Sequence, residues 1–330
     1  MATTTFRRLV CNKLTSKFHE AVSVEETQIP TPKPGDVLVK NRFVGINASD
    51  INFTAGMYDP SVKPPFDTGF EVCQVLQQVV KCGRADDKFS AGQPVIYSNF
   101  GAFSEYKTVN ASLLTPLPDL KPDYLPLLVS GLTASIALDK IGDLKTSDKV
   151  LVTAAAGGTG QFAVQWAKAK GCTVIGTCSS KEKCEFLKNG IDVVYESIGG
   201  KMFETCFKNL ANHGRLIVIG MIKYYEDGIS QVAQNDPSFY GAIPLKLLFK
   251  SASIRGFILP HFPQYFAEYL ARLIRCVQEG SIVSQFDMGT SSGKPFSGIN
   301  DIVRAVQYMY DKKNIGKVIV ELNAATQGKL

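Results

Sequence analysis

The chain is expected to form two domains, one β-rich and one α/β with a doubly wound parallel sheet. Three observations carry the expectation. First, Val150-Leu151-Val152-Thr153-Ala154-Ala155-Ala156-Gly157-Gly158-Thr159-Gly160-Gln161 runs from a β-branched apolar stretch, through a loop of small residues, into a helical pattern over residues 162–170. Second, strand and helix signals alternate from about Tyr124 onward, the pattern of a parallel sheet with helical crossovers. Third, the first third of the chain is rich in strand and turn signals instead.

Taken in order, residues 37–40 and 70–80 read as strands, and residues 30–35, 63–65 and 81–83 as turns. A helix over residues 127–140 leads to Gly142 and opens the α/β part. Strands follow at residues 149–153, 173–177, 193–196, 216–219 and 253–257, with helices at 162–170, 181–188 and 202–210 between them. The tail returns to a helix at 299–310 and a strand at 317–322. This places the β-rich domain at residues 1–129, completed by residues 280–330, and the α/β domain at residues 130–279.

With 330 residues, 45% hydrophobic and 20% charged, the chain is long enough to bury large cores. No apolar run approaches the length of a membrane span. Residues 1–10 lack the apolar stretch of a secretory signal behind Arg7-Arg8. The net charge of +6 is mild and dispersed, which argues against nucleic acid and suits an anionic small ligand. Eight cysteines are scattered without a Cys-x-x-Cys pair, and the three histidines, His19, His213 and His261, stand far apart. Neither a disulfide framework nor a metal site is expected from them.

The small-residue loop suits a dinucleotide. It offers a tight turn, close backbone approach to a pyrophosphate, and the amide donors and positive dipole end of a helix N-terminus. Ala155 stands where the first glycine of Gly-x-Gly-x-x-Gly would be, so a glycine-rich turn with no nucleotide is the alternative on the loop alone. A chain that binds NAD typically carries an acid about 20 residues beyond the glycines. Here Thr177-Cys178-Ser179-Ser180-Lys181-Glu182-Lys183 offers hydroxyls and, one helical turn on, a lysine. Those groups suit a ribose 2′-phosphate, so NADPH is expected over NADH. Ser179 is equally placed to cap the following helix.

At this point the chain resembles the zinc-independent, quinone oxidoreductase-like medium-chain dehydrogenase/reductases. The resemblance covers almost the whole chain. It rests on residues 41–50 (NRFVGINASD), 58–66 (YDPSVKPPF), 151–161 (LVTAAAGGTGQ), 175–180 (IGTCSS), 192–200 (DVVYESIGG), 214–220 (GRLIVIG) and 314–322 (NIGKVIVEL). Zinc-dependent relatives carry Gly-His-Glu where this chain reads Gly69-Phe70-Glu71, and a cysteine ligand in the region of Asn47. The resemblance implies a GroES-like catalytic domain, a Rossmann domain and no metal. It also implies NADPH-dependent reduction of an activated carbon–carbon double bond, with hydride delivered to the β-carbon of an enone. The 13,14 bond of 15-oxo-prostaglandins, or another lipid-derived enone or alkenal, is the implied substrate. An NADPH quinone oxidoreductase and a non-catalytic NADPH-binding protein are the alternatives, and a homodimer is a family-level expectation.

The resemblance also assigns site residues. Gly157, Thr159 and Gly160 belong to the pyrophosphate loop, and Ser179 and Lys183 to the 2′-phosphate. Ser197 and Ile219 end sheet strands that face the cofactor crevice. Phe257, Ile258 and Leu259 offer backbone groups to the nicotinamide, and Asn314 reaches back from the tail. Ile219 and Phe257 are equally consistent with core residues. Tyr225 is the candidate for polarising the enone carbonyl, with a surface tyrosine as the alternative. Asn47, Asp50 and Tyr58 fall in the stretch that lines the cleft in quinone reductases, where a neutral Asn47 would shape the pocket or bind substrate.

Two departures from the family stand out. Ser135 replaces a tyrosine that relatives turn toward the nicotinamide. More consequentially, Lys188-Asn189-Gly190-Ile191-Asp192 joins the helix after the second strand almost directly to the next strand, so one edge strand and its helix are missing. Of the usual strand order 3-2-1-4-5-6, strand 3 is then absent. The helix at 181–188 must either make a left-handed crossover, against a rule obeyed in about 98% of cases, or change faces and carry Ser179 and Lys183 away from the phosphate. A splice or gene-model variant with weakened NADPH affinity is expected. The terminal Gly328-Lys329-Leu330 is close to a Ser-Lys-Leu address, so peroxisomal import is expected, with the cytoplasm as the alternative.

Overall fold

The ten-residue strand Asp36–Gly45 organises the first of two units. Its first half pairs antiparallel with Tyr106–Asn110, and its second half lies between Glu71–Val75 and Lys317–Glu321. Pro94–Ser98 and Thr115–Pro116 extend this sheet beyond Glu71–Val75, while Phe286–Asp287 pairs with Lys317–Glu321 at the other end. A smaller antiparallel sheet sets Thr5–Cys11 between Val22–Gln28 and Phe66–Asp67. The first unit is Met1–Leu128 with Phe286–Leu330, and the second is Val129–Gln285. The computed structural model describes residues 5–59, 61–75, 89–177, 190–225 and 237–322. The turn at 81–83, the helix at 181–188 with Ser179 and Lys183, and the terminal tripeptide lie outside those residues.

The second unit is built on five parallel strands in the order Thr173–Gly176, Lys149–Val152, Ile191–Glu196, Leu210–Val218, Ser253–Gly256. The central strands read as continuous apolar runs because both faces are covered. Val150, Leu151, Val152, Val193 and Val194 are all buried. On one face Cys206 and Phe207, from the helix Lys201–Lys208, close over Leu151, Ile191, Val194 and Leu216. Elsewhere Asp139 accepts hydrogen bonds from the Trp166 indole at 3.0 Å and the Tyr269 phenol at 3.1 Å. One carboxylate thus ties the helix Gly160–Ala169 and the helix Phe266–Gln278 to the segment Ala137–Ile141.

The expected loss of an edge strand concerns the stretch after Thr173–Gly176, of which residues 178–189 lie outside the described residues. Among the described residues no strand lies outside Thr173–Gly176, so the sheet corresponds to strands 2-1-4-5-6 of the usual six.

Element positions differ from the sequence reading in a few places. The strands Ile191–Glu196 and Leu210–Val218 start earlier than expected, and the helix between them ends at Lys208. Gly190, at φ +74°, and Gly214 let the chain turn closely around Leu210 and Ala211. The helices Ser49–Thr54, Ile243–Lys250 and Phe266–Gln278 are additions. One helical run, Pro122–Ile141, is long and apolar enough by composition to cross a bilayer, although Asp123, Asp139 and Lys140 interrupt its apolar residues. Leu132, Ala134, Ile136, Ala137 and Leu138 are buried within the protein, which accounts for that apolarity.

Candidate functional site

The glycine loop follows Lys149–Val152 and leads into Gly160–Ala169, a strand–loop–helix unit as the sequence predicts. Its small residues are required by close packing. A Cβ on Gly160 would lie 2.2 Å from the Ala154 carbonyl oxygen, and one on Gly176 would lie 2.6 Å from the Ala155 methyl. The loop is therefore folded tightly against the second strand. The Gly157 amide donates to Ala154 O at 2.9 Å, and Ala154 itself sits at φ +48°. Thr159 is the N-cap residue but makes no side-chain capping bond. The Gln161 and Phe162 amides donate to the Gly157 and Thr159 carbonyls at 3.2 and 3.1 Å, so an anionic group at this helix end would meet the helix dipole and the amides of the preceding loop.

The other cofactor positions lie at the same end of the sheet. Ser197 follows Ile191–Glu196, and its amide donates to the Thr153 hydroxyl at 2.9 Å, joining the first-strand loop to the fourth-strand loop. These two strands are adjacent and are followed by opposite branches of the sheet, so their ends form the topological switch point where such sheets take ligands. Ile219 continues Leu210–Val218, half-buried, its amide on Glu196 O. Phe257 continues Ser253–Gly256, buried and stacked on Phe262 with ring centroids 4.8 Å apart. Exposed Ile258 and half-buried Leu259 come next and give their carbonyls to His261 and Phe262. The Tyr225 hydroxyl accepts the Met221 amide at 2.9 Å and lies close over Gly220, where a Cβ would meet it at 2.9 Å. Gly157, Thr159, Gly160, Ser197, Ile219, Tyr225, Phe257, Ile258 and Leu259 all follow the carboxyl ends of parallel strands. Ser135 is turned away from such work: it is buried, and its hydroxyl donates to the Gly131 carbonyl in its own helix.

Two buried groups under these loops escape a motif search. Glu196 is fully buried, and burial pushes its carboxyl up despite hydrogen bonds from the Ile198 and Gly199 amides. It fixes the turn through Gly199 and Gly200, both at positive φ. Tyr195 is also fully buried, with its phenol raised by burial.

In the first unit, Asn314 closes its own turn by donating to Gly316 O at 2.7 Å. Asn47 sits in a buried polar centre. Its side-chain amide donates to Glu71 Oε2 at 3.0 Å, and its carbonyl oxygen accepts from Lys317 Nζ at 2.5 Å. Its backbone amide donates to Asp50 Oδ2 at 2.8 Å. Lys317 also forms an ion pair with Glu71. Burial raises the Asp50 carboxyl to about 7, against the opposing pull of the Asn47 amide and Lys317. Tyr58, 47% exposed, lies beside Asn52 and Ser49. The sequence reading singled out Asn47 and Asp50 but not their partners. The available signal was a lysine, Lys317, directly before the apolar run Val318-Ile319-Val320.

A family model described as the alcohol dehydrogenase GroES-like domain matches residues 33–119, and one described as zinc-binding dehydrogenase matches residues 179–320. Among the described residues no three His, Cys, Asp or Glu side chains converge on a point. Prostaglandin reductase-3 of Mus musculus is 46% identical over 356 residues, covering 99% of this chain and 92% of the relative. That span exceeds the 330 residues of the chain itself, so the relative has residues with no counterpart here. A probable quinone oxidoreductase of Leishmania amazonensis is 39% identical over 96% of this chain and 98% of its own length. The solved structure of mycobacterial Rv1454c complexed with NADPH matches with a TM-score of 0.77 and 25% identity, over 96% of this chain and 99% of that one. The chain belongs to the medium-chain dehydrogenase/reductase family, among its quinone oxidoreductase-like and prostaglandin reductase members.

Proposed function

We propose that the protein is a zinc-independent, NADPH-dependent reductase of activated carbon–carbon double bonds, acting on enones of the 15-oxo-prostaglandin kind. The observation that carries the reading is the glycine loop leading into a helix at the switch point, in a chain 46% identical to prostaglandin reductase-3 over 99% of its length. The NADPH complex of the mycobacterial neighbour supports the cofactor.

Bound NADPH supplies a hydride to the β-carbon of the enone. The loop at residues 153–160 holds the anionic pyrophosphate through backbone amides, without side chains that would keep it at a distance. Ser197, Ile219 and the backbone of residues 257–259 orient the nicotinamide end. Tyr225 donates to the enone oxygen as negative charge builds there. The Met221 amide, donating to the same phenol oxygen, fixes where that oxygen lies. Asn47 serves the first unit from within, as both ends of its carboxamide are engaged.

The test is NADPH consumption with a 15-oxo-prostaglandin, a simple enone, a quinone and an aldehyde, with the product identified by mass spectrometry. A saturated ketone from the enone supports the reading. Preference for the quinone favours the second reading, which the Leishmania amazonensis relative motivates. Tight NADPH binding without turnover on any acceptor would make the protein a binding variant. Self-association belongs to the same proposal. Ser253–Gly256 is an edge strand, and Leu245, Leu248 and Phe249 are exposed on the helix preceding it. Light scattering on the purified protein should give a dimer mass, and a monomer at micromolar concentration would remove that part.

A further inference from the structure

The polar centre of the first unit holds a cation of its own. Lys317 is 3% exposed and Glu71 is fully buried, and the two form an ion pair. Lysine is almost never buried to this degree unless it is paired. The Asn47 carboxamide bridges the pair in the only orientation that satisfies both neighbours. Its oxygen faces an ammonium that can only donate, and its nitrogen faces a carboxylate that accepts. Asp50, 2% exposed, adds a second carboxyl, with Oδ2 on the Asn47 amide and Oδ1 buried without a partner. Gly45 leaves the room for this arrangement: a Cβ there would lie 2.4 Å from Glu71 Oε2 and 3.0 Å from Lys317 Cε.

Three oxygen-bearing side chains, those of Asn47, Asp50 and Glu71, and one ammonium therefore meet where three strands converge. A zinc-binding dehydrogenase, the description attached to the matched family model, would need metal ligands converging on one point. Here the oxygens of Glu71 and Asn47 converge on Lys317 Nζ instead.

We propose that Lys317 is the resident counter-cation of this unit, filling by its ammonium the place of a metal ion and holding Asn47, and through it the turn to Asp50, in position. It is a positioning residue, acting through Asn47. The inference shares only the zinc-free part of the proposed function. Its test reads cation binding and stability, so its failure leaves the reductase assignment standing.

Lys317→Met keeps the volume and removes the ammonium that pairs with the buried Glu71 carboxylate. Its melting temperature should fall by roughly 10 °C. Glu71→Gln combined with Lys317→Met removes both charges and should regain most of that loss. Lys317→Ala opens a cavity of the shape of n-propylammonium. Tens of millimolar n-propylammonium chloride should raise its melting temperature, and sodium chloride at equal ionic strength should not. Wild-type protein should take up no equivalent of Zn²⁺ that the Glu71→Gln variant fails to take up. The proposal is overturned if Lys317→Met is as stable as wild type, or if the neutral double variant is no better than Lys317→Met. It is equally overturned if n-propylammonium acts no differently from sodium, or if wild type binds zinc through Glu71. Loss of folding in Lys317→Ala alone leaves the Met and double variants to decide.

Discussion

Asp50 shows how a single buried side chain turns local geometry into a pH dependence. Burial raises its carboxyl from the ordinary 3.8 to about 7, because an interior site disfavours charge. The folded protein therefore keeps a proton that the unfolded chain releases between about pH 4 and pH 7. In that window stability falls as pH rises, and the loss is complete above the folded value. Asp50→Asn keeps an acceptor for the Asn47 amide and removes the titration. Its stability should gain on wild type by roughly 2–3 kcal/mol between pH 5 and pH 8. Denaturant curves at the two pH values check this, and parallel behaviour of the two proteins would contradict it. Gly45→Ala tests the same centre by volume. A methyl group pressed against Glu71 should cost about 1–3 kcal/mol, read by urea denaturation. None of this is visible in local sequence, because Gly45, Glu71 and Lys317 are brought together only by strand register.

At the scale of elements, the glycine loop makes two opposite predictions. Ala154 occupies the left-handed region at φ +48°, where a Cβ costs roughly 1–2 kcal/mol. Ala154→Gly should leave stability unchanged or raise it by up to about 1 kcal/mol, with the unfolded chain's extra freedom offsetting part of the relief. Gly160→Ala pushes a methyl into the Ala154 carbonyl and should both destabilise the protein and weaken NADPH. Equal thermal shifts for the two variants would contradict the packing argument.

The loop was legible because a phosphate-binding turn is made of consecutive residues. The helix Phe266–Gln278 also carries a readable signal, with Tyr269, Leu270 and Leu273 buried at helical spacing. The helix Ile243–Lys250 carries a weaker one: Ile243 and Leu247 pack on the core four residues apart, while Leu245, Leu248 and Phe249 are exposed. The five-stranded sheet carries a prediction of its own. With no strand beyond Thr173–Gly176 among the described residues, NADPH should bind more weakly than it does to mouse prostaglandin reductase-3, whose alignment needs more residues than this chain has. Fluorescence titration of both proteins side by side checks this, and equal dissociation constants would contradict it.

For the whole molecule, the sequence reads most clearly where function sits on contiguous residues and least clearly where it depends on assembly. The strand ends that carry Ser197, Ile219, Tyr225 and Phe257 follow from the order of a parallel sheet, which alternating strands and helices announce. The polar centre of the other unit joins a strand near the start to the final strand. Only the folded chain shows that Asn47 is held from both sides. The central claim is that this fold passes a hydride from NADPH to the β-carbon of an enone. The most direct measurement uses NADPH deuterated at the transferable position with a 15-oxo-prostaglandin, and locates the label by mass spectrometry. The predicted result is one deuterium at C13 of a 13,14-dihydro product, with turnover reduced in Tyr225→Phe. Deuterium at the carbonyl carbon, or NADPH bound with no product from any enone, would contradict it.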